Sequence, residues 1–332
     1  MFPLSVLDLV PVKINKTPAN ALKESLELAK LADDLGYQRY WVAEHHNMTG
    51  IASAATSVVI GYLAAGTKNI RIGAGGIMLP NHAPLIIAEQ FGTLESLYPN
   101  RIDLGLGRAP GTDQLTWRAL RRDSRASENF PQDVQELQSL FAPVKDGQKI
   151  QAVPGGNLDV PLWMLGSSLF GAQLAAQLGL PYAFASHFAP AALDQALHVY
   201  RQQFKSSKQL TESYAMPCVS VIVADTDEQA EYLLTSMKLR FLGMIRNQRG
   251  QLSPPVDDIN SCWNPTEKVQ VESMLSCAFV GSAKTVKNKL QQFINRTQAN
   301  ELMVSAGIFE QSSRLRSYEL LSQVGKELIS AN

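Results

Sequence analysis

The chain alternates between short apolar segments and helical segments along almost its whole length, and this alternation is the strongest restriction on its fold. The apolar segments have the length and boundaries of β-strands, and the segments between them carry apolar residues at helical spacing. Strands that alternate with helices form a parallel sheet with the helices outside it. The predicted strands are residues 5–12, 39–44, 70–79, 101–106, 161–165, 182–186, 215–224 and 301–305.

Eight strands and about eight helices in one alternation predict an α/β fold, a (β/α)8 TIM barrel. Two longer stretches, residues 109–160 and 244–276, interrupt the alternation, and we predict them as insertions in a single domain spanning residues 1–332. The second stretch is expected to be irregular. The alternative is a pair of doubly wound domains, which needs a linker, and no stretch changes composition enough to be one.

The composition excludes several classes of partner. An apolar share of 45% and a charged share of 18% are typical of a globular protein with a large core. The formal net charge is zero, so no nucleic-acid or acidic membrane partner is indicated, and no apolar run reaches transmembrane length. The three cysteines are widely spaced, which fits a reducing cytoplasm better than a disulfide framework.

Unusual residues follow five of the predicted strands. In a TIM barrel the carboxyl ends of the strands meet at one face, and that face carries the functional residues. We therefore expect a site built from the following residues: His45 and His46 after strand two, Gly75 and Gly76 in strand three, Gly107 and Arg108 after strand four, Ser167 and Ser168 after strand five, and His187 after strand six.

The end of strand four has two features of an anion or cofactor pocket. Gly105 and Gly107 let a ligand approach the backbone, and Arg108 adds a fixed positive charge. A dinucleotide fingerprint is excluded, because its third glycine must follow the second by three residues and open a helix, whereas Gly111 is one place late and follows Pro110.

Ser167 and Ser168 precede a predicted helix, whose free N–H groups and dipole favour a phosphate. The alternative is plain N-capping by serine, which needs no ligand. Arg108 also has a structural alternative, a salt bridge to Asp103 or Asp113. The arginines at positions 118, 121, 122 and 125 are more typical of a solvated helix face than of a site.

His45 and His46 are adjacent on a strand end, so their side chains should point to opposite faces and only one should face the barrel axis. A histidine there can give or take a proton near neutral pH. No second ligand pair has metal-site spacing, so no metal is predicted. Gly75 and Gly76 weaken their strand, which favours either a close ligand or a barrel bend.

Several motifs together resemble the bacterial-luciferase-like flavin monooxygenases, and the resemblance covers nearly the whole chain. They are Glu-His-His-Asn at 44–47, Gly-Gly-Ile-Met-Leu-Pro-Asn-His at 75–82, Arg-Ile-Asp-Leu-Gly-Leu-Gly-Arg at 101–108 and Ser-Tyr-Glu-Leu-Leu at 317–321. The resemblance implies the luciferase-like type of TIM barrel with insertions, and a flavin cofactor.

The resemblance also assigns roles to the site residues. It places His45 beside the reacting edge of the flavin, a non-proline cis peptide between Gly75 and Gly76 beneath the ring, and the phosphate against Arg108, Ser167 and Ser168. A branched side chain at Gly76 is then expected to fill the space below the ring. The light-emitting members carry a reactive cysteine where this chain has Gly107, so bioluminescence is not implied.

The expected function is that of a cytoplasmic oxidoreductase, a monooxygenase that uses reduced FMN and O2 on a small, aldehyde-like substrate. Because the chain has no nicotinamide motif, a separate flavin reductase is expected to supply the reduced FMN, and the resemblance suggests a homodimer. Two alternatives stay open: a deazaflavin-dependent dehydrogenase on the same fold, and a flavin-binding protein without turnover.

Overall fold

In the computed structural model, which describes residues 2–108, 113–122 and 124–330, eight parallel strands close into a barrel. The ring order is β1-β2-β3-β4-β5-β6-β7-β9, and β9 pairs with β1 to complete it. The strands are Leu4–Asp8 (β1), Arg39–Val42 (β2), Arg71–Met78 (β3), Ile102–Gly107 (β4), Leu162–Gly166 (β5), Tyr182–Phe184 (β6), Ala215–Ala224 (β7), Ala278–Ser282 (β8) and Leu302–Ser305 (β9).

Strand β8 lies outside the ring and was missed in the sequence. The long strand β7 pairs with β6 at its start, with β9 in its middle, and with β8 through Ser220–Ala224 at its carboxyl end. Ser282 ends β8 and is the N-cap residue of the helix that starts at Ala283. The five residues before that helix form a strand because β7 extends past the barrel and offers an edge to pair with.

Helices surround the barrel and also occur within both insertions. They are Pro18–Asp34 (α1), Thr56–Ala65 (α2), Pro84–Leu97 (α3), Gln114–Ala119 (α4), Phe130–Phe141 (α5), Leu169–Leu178 (α6), Leu193–Gln203 (α7), Asp227–Ile245 (α8), Pro265–Met274 (α9), Ala283–Thr297 (α10) and Gln311–Glu327 (α11). Thr17 begins α1 with a capping box, in which its hydroxyl accepts a bond from the Asn20 amide.

Helix α9 corrects the expectation that residues 244–276 are irregular. Its start is specified locally, since the Asn264 side chain accepts a bond from the Glu267 amide and Glu267 bonds back to the Asn264 amide. Pro265 occupies the first helical position, where its missing N–H costs nothing. The polar composition of the stretch hid a helix that begins with a strong cap.

The amino-terminal end of the barrel is held by a buried network of charges. Asp103, with no exposed side-chain surface, accepts bonds from Arg39 at 2.8 Å, Arg71 at 2.9 Å and Trp41 at 3.1 Å. Arg39 also bonds to Glu301 at 3.2 Å, which ties β2 to β9. Removing one member would leave a buried charge uncompensated, which typically costs about 3–5 kcal/mol.

Helix α8 and the segment after it lie over the carboxyl end of the barrel. A Cβ added to Gly307, just after β9, would lie 3.4 Å from Met237 of α8. Beyond the helix, Leu252 exchanges backbone hydrogen bonds with the segment after β1, with its amide 2.9 Å from the Val12 carbonyl. The opening at the carboxyl end of the barrel, which we call the mouth, is therefore covered by α8 and the segment after it. In the described part of the chain, no helix is long and apolar enough to cross a membrane.

Candidate active site

Glu44 joins the ends of β2 and β3. It is 1% exposed, and its carboxylate accepts bonds from the Met78 amide at 2.9 Å and the Asn81 side chain at 3.1 Å. Two imidazoles also donate to it, from His46 at 2.6 Å and from His82 at 3.0 Å. One buried acid thus fixes three side chains, one in its own loop and two in the loop after β3, which the sequence motifs could not show.

These bonds keep Glu44 ionised. Burial alone would raise the pKa of its carboxyl, but the hydrogen bonds from His46 and His82, the charge of His82 and the bond from Asn81 outweigh it and lower the pKa to about 2. The carboxylate is therefore negative throughout the neutral range and orients each imidazole through an N–H donor.

Glu44, His46 and His82 offer ligand atoms that all lie within 4.8 Å of one another. Glu44 and His46 are close in the sequence, whereas His82 comes from the next strand end, so spacing along the chain did not reveal this cluster. Because both imidazoles donate hydrogen bonds to the carboxylate, these contacts account for the cluster without an ion. The absence of a metal stays a prediction.

His45 and His46 point away from each other. His46 bonds to Glu44 on the side of β3. His45 instead lies close enough to His187, at the end of β6, for its charge to act there. Burial, then the charge of Arg240, then that of His45 lower the pKa of His187 to about 3. Strand β6 lies across the ring from β2, so His45 is the histidine directed over the mouth of the barrel.

The peptide bond between Gly75 and Gly76 is cis, as the resemblance implied. A Cβ at Gly75 would meet Leu7 at 2.9 Å and Trp41 at 3.1 Å, both in the barrel interior. A Cβ at Gly76 would lie 2.7 Å from the Gly105 carbonyl oxygen. The expectation that a side chain at Gly76 fills space below a ligand is therefore wrong, because that direction is occupied by the backbone of β4.

Arg108 lies beside the start of α6. Its guanidinium is 3.9 Å from the ring centroid of Phe170, in the first turn of that helix. Ser168 is the N-cap in extended conformation, but its side chain makes no capping bond, and both Ser167 and Ser168 are exposed. The structure brings Arg108 and this helix terminus together at one edge of the barrel opening. We call this edge, formed by Arg108, Ser167, Ser168 and Phe170, the rim.

Both structural alternatives for Arg108 are wrong. Asp103 is bound by Arg39 and Arg71 at the opposite end of β4. Asp113 instead N-caps α4 and accepts a bond from Asn47 at 3.3 Å. In the described part of the chain no carboxylate pairs with Arg108.

Gly107 ends β4 beside Met78. A Cβ there would meet the Met78 sulfur at 2.9 Å, which is the far end of a flexible side chain. Met78 is itself placed by the bond from its amide to Glu44. Gly107 therefore adjoins both the Arg108 rim and the Glu44 cluster.

The first insertion reaches this mouth through one of its arginines. Arg122 donates to the Asn81 carbonyl at 3.0 Å, beside the Glu44 cluster. Arg118, Arg121 and Arg125 are exposed, as expected for a solvated face. Residues 109–112 and 123 of this insertion lie outside the described residues, as does Gly111 of the fingerprint argument.

Comparison with known proteins matches this geometry to one family. A family model described as luciferase-like monooxygenase matches residues 4–300. The chain is 53% identical over 326 residues to the luciferase-like monooxygenase of Escherichia coli strain K12, covering 98% of this chain and 97% of that one. The crystal structure of apo-MsnO8 has a TM-score of 0.91 at 35% identity, covering 99% and 100% of the two chains.

Two more distant structures share the fold. The oxygenating constituent of 3,6-diketocamphane monooxygenase from Pseudomonas putida, solved in complex with FMN, has a TM-score of 0.74 at 16% identity, covering 100% and 99% of the chains. An F420-dependent secondary alcohol dehydrogenase has a TM-score of 0.70 at 15% identity, covering 97% and 98%. The fold alone therefore does not choose between FMN and a deazaflavin.

Proposed function

The chain belongs to the luciferase-like monooxygenase family, and from that premise we propose that it is a monooxygenase that uses reduced FMN and O2 on a small organic substrate. A separate flavin reductase would supply the reduced FMN. We propose an aldehyde-like molecule as that substrate.

The observation that carries the proposal is the meeting of Arg108 with the amino terminus of α6 on one rim. Arg108 is held over Phe170 and pairs with no carboxylate in the described ranges, and the Ser168 hydroxyl is not used as a cap. A guanidinium, two serine hydroxyls and free helix N–H groups form a donor set suited to a phosphate. These residues fit the phosphate of FMN, which riboflavin lacks.

The flavin ring would extend from this rim towards β3. Glycine at positions 75 and 76 lets β3 pack closely against the barrel interior and β4, Gly107 ends β4 beside Met78, and the Gly75–Gly76 bond is cis. When bound and reduced, FMN supplies the two electrons that activate O2 for transfer of one oxygen atom to the substrate. Gly75, Gly76, Gly107, Arg108, Ser167 and Ser168 are the proposed cofactor-binding residues.

His45 is the proposed catalytic residue. It is directed over the mouth, and an imidazole nitrogen there can hold or move a proton at the reacting edge of the cofactor. Helix α8 and the segment after it cover the mouth and would exclude water. His46 bonds to the Glu44 carboxylate instead, so it positions the loop rather than reacting.

Two other functions remain as alternatives. A deazaflavin-dependent dehydrogenase would use the same fold for hydride transfer, and a flavin store would bind FMN without turnover. A homodimer, a cytoplasmic location and a single domain with two insertions also remain proposals. The three cysteines are free thiols, which supports a reducing compartment.

Equilibrium titrations with FMN, riboflavin and the deazaflavin coenzyme test the cofactor assignment. We expect FMN to bind more tightly than riboflavin. Tighter binding of the deazaflavin coenzyme than of FMN would favour the dehydrogenase. Because free reduced FMN also consumes O2, oxygenated product formed per reduced FMN, measured with a flavin reductase, then separates an enzyme from a store.

A further inference from the structure

Helix α8 turns one face towards the opening of the barrel. Met237 on that face packs at the end of β9, where it would be 3.4 Å from a Cβ on Gly307. Ser236 and Arg240 share this face, because residues three and four apart are neighbours on a helix surface. Arg240 therefore lies beside both Ser236 and Met237, over the mouth.

Two of these side chains are not satisfied by the protein. Ser236 is fully buried, and its hydroxyl has no hydrogen-bond partner among residues 2–108, 113–122 and 124–330. Arg240 is partly buried, and within the same ranges no carboxylate lies in salt-bridge distance of its guanidinium. A partly buried cation without a counterion and a buried hydroxyl without a partner both cost free energy unless a ligand supplies the missing contacts.

His187 adds a third unsatisfied group from the end of β6. Its Nδ1 atom is buried and has no hydrogen-bond partner in the described part of the chain. The Arg240 charge is close enough to help lower the pKa of His187, after burial and before His45. His187 therefore stays neutral at physiological pH and can donate one N–H to a ligand.

Asp8 is the acid whose charge acts on Arg240, and it does not neutralise it. Burial lowers the pKa of Arg240, and the charge of Asp8 only partly offsets this. Asp8 is already occupied, since it accepts bonds from Arg314 at 2.7 Å, Tyr40 at 2.5 Å and the Val10 amide at 2.9 Å. Among the described residues, the positive charge of Arg240 near His187 thus has no negative partner of its own.

The FMN phosphate is not the missing partner. Its proposed site is the rim of Arg108 and α6, after β4 and β5, whereas Arg240 lies over the barrel from the element that follows β7. An anion at Arg240 would instead be part of the molecule that enters the mouth next to His45. A guanidinium presents a planar pair of N–H donors, which matches the two oxygens of a carboxylate.

We propose that Arg240, Ser236 and His187 form a subsite for a carboxylate of the substrate, so that the substrate class is small organic acids. Arg240 pairs with the two carboxylate oxygens, and the Ser236 hydroxyl and the His187 N–H donate to them. The proposal rests on the proposed function, because it places the substrate in the same mouth. The group that receives oxygen is a different part of that molecule.

The test compares hexanoate with hexanamide, which have the same length but differ in charge, by calorimetric titration of the FMN-loaded protein. We expect the parent to prefer hexanoate by about 10- to 100-fold, the range of a charge-assisted bond. Arg240→Met should remove the preference and leave hexanamide affinity and FMN affinity unchanged. Arg240→Lys should keep part of it, and Ser236→Ala should reduce it several-fold.

Arg249→Met is the matched control, because Arg249 is an exposed arginine in the segment after α8 and its loss should leave the preference intact. Thermal unfolding of each variant shows whether it is folded. If Arg240→Met does not fold, Ser236→Ala tests the same subsite in its place. Equal binding of the two probes to the parent, no binding of hexanoate, or a preference that survives Arg240→Met would overturn the proposal. Failure of FMN to bind would overturn the proposed function instead. The preference for hexanoate over hexanamide can then still be measured on the protein without FMN, so the two failures are distinguishable.

Discussion

The Arg108 guanidinium lies 3.9 Å from the ring centroid of Phe170, so the end of β4 and the first turn of α6 are in direct contact. A cation over an aromatic face is held in one orientation, and here it is held next to a helix terminus with free N–H groups. The contact brings the carboxyl end of β4 and the start of the helix after β5 together at one rim.

Arg108→Ala should weaken FMN binding by about 10- to 100-fold, because it removes a charge-assisted contact to the phosphate. Riboflavin affinity should hardly change. Fluorescence titration of both ligands measures the difference, with Arg118→Ala as the control, an exposed arginine on α4. Equal losses for the two ligands would mean that Arg108 supports the fold and not the phosphate.

Gly76→Ala should destabilise the protein, because its Cβ would lie 2.7 Å from the Gly105 carbonyl oxygen, and neither backbone can move easily. A loss of at least about 1–3 kcal/mol in the free energy of unfolding is typical of such overpacking. Gly107→Ala is the matched variant, since its Cβ meets only the flexible end of Met78. Denaturant unfolding of both checks this, and similar stabilities for the two variants would contradict the close approach of β3 and β4.

Glu44 should make stability depend on acid pH. Its pKa is about 2 in the folded protein against an ordinary value of 4.5, so the folded state binds the proton more weakly than the unfolded chain does. The resulting stability, on the order of 3 kcal/mol, is present above about pH 4.5 and is lost as the pH falls towards 2.

Unfolding free energies of the parent and Glu44→Gln, measured from pH 6 downwards, test this. The difference between the two should shrink as the pH falls. Parallel curves would show that the carboxylate gains nothing from His46, His82 and the Met78 amide.

His45→Ala should leave FMN binding almost intact, since the phosphate site is at the Arg108 rim. Product formed per reduced FMN should fall by about 10²- to 10⁴-fold, the usual share of general acid–base catalysis, and more O2 should leave as peroxide. His46→Ala is the paired control and should lose stability rather than yield. If His46→Ala uncouples the reaction while His45→Ala does not, the choice of the reacting histidine is wrong.

The barrel could be predicted from the sequence because strand and helix signals alternate locally, and the bounds of β7 were predicted to the residue. Strand β8 could not, because it exists only where β7 overruns the ring. The capping residues of α9 were present in the sequence, but the polar composition of the stretch led to the prediction of irregular structure.

Some residues of the candidate site could likewise be predicted from the sequence, and others could not. Arg108, Ser167 and Ser168 were marked by residue type at strand ends, and those ends do meet. His82, Ser236 and Arg240 were not, because their importance comes from neighbours distant in the chain. The direction of a Cβ at Gly76 also depends on β4, so sequence alone assigned it to the wrong space.

The most direct test of the monooxygenase assignment is the stopped-flow absorbance spectrum of the anaerobic protein with reduced FMN after mixing with O2. The proposed function predicts a bound species, distinct from oxidised FMN, that outlives the oxidation of free reduced FMN under the same conditions. Formation of oxidised FMN at the rate of the free cofactor, with no such species, would contradict it.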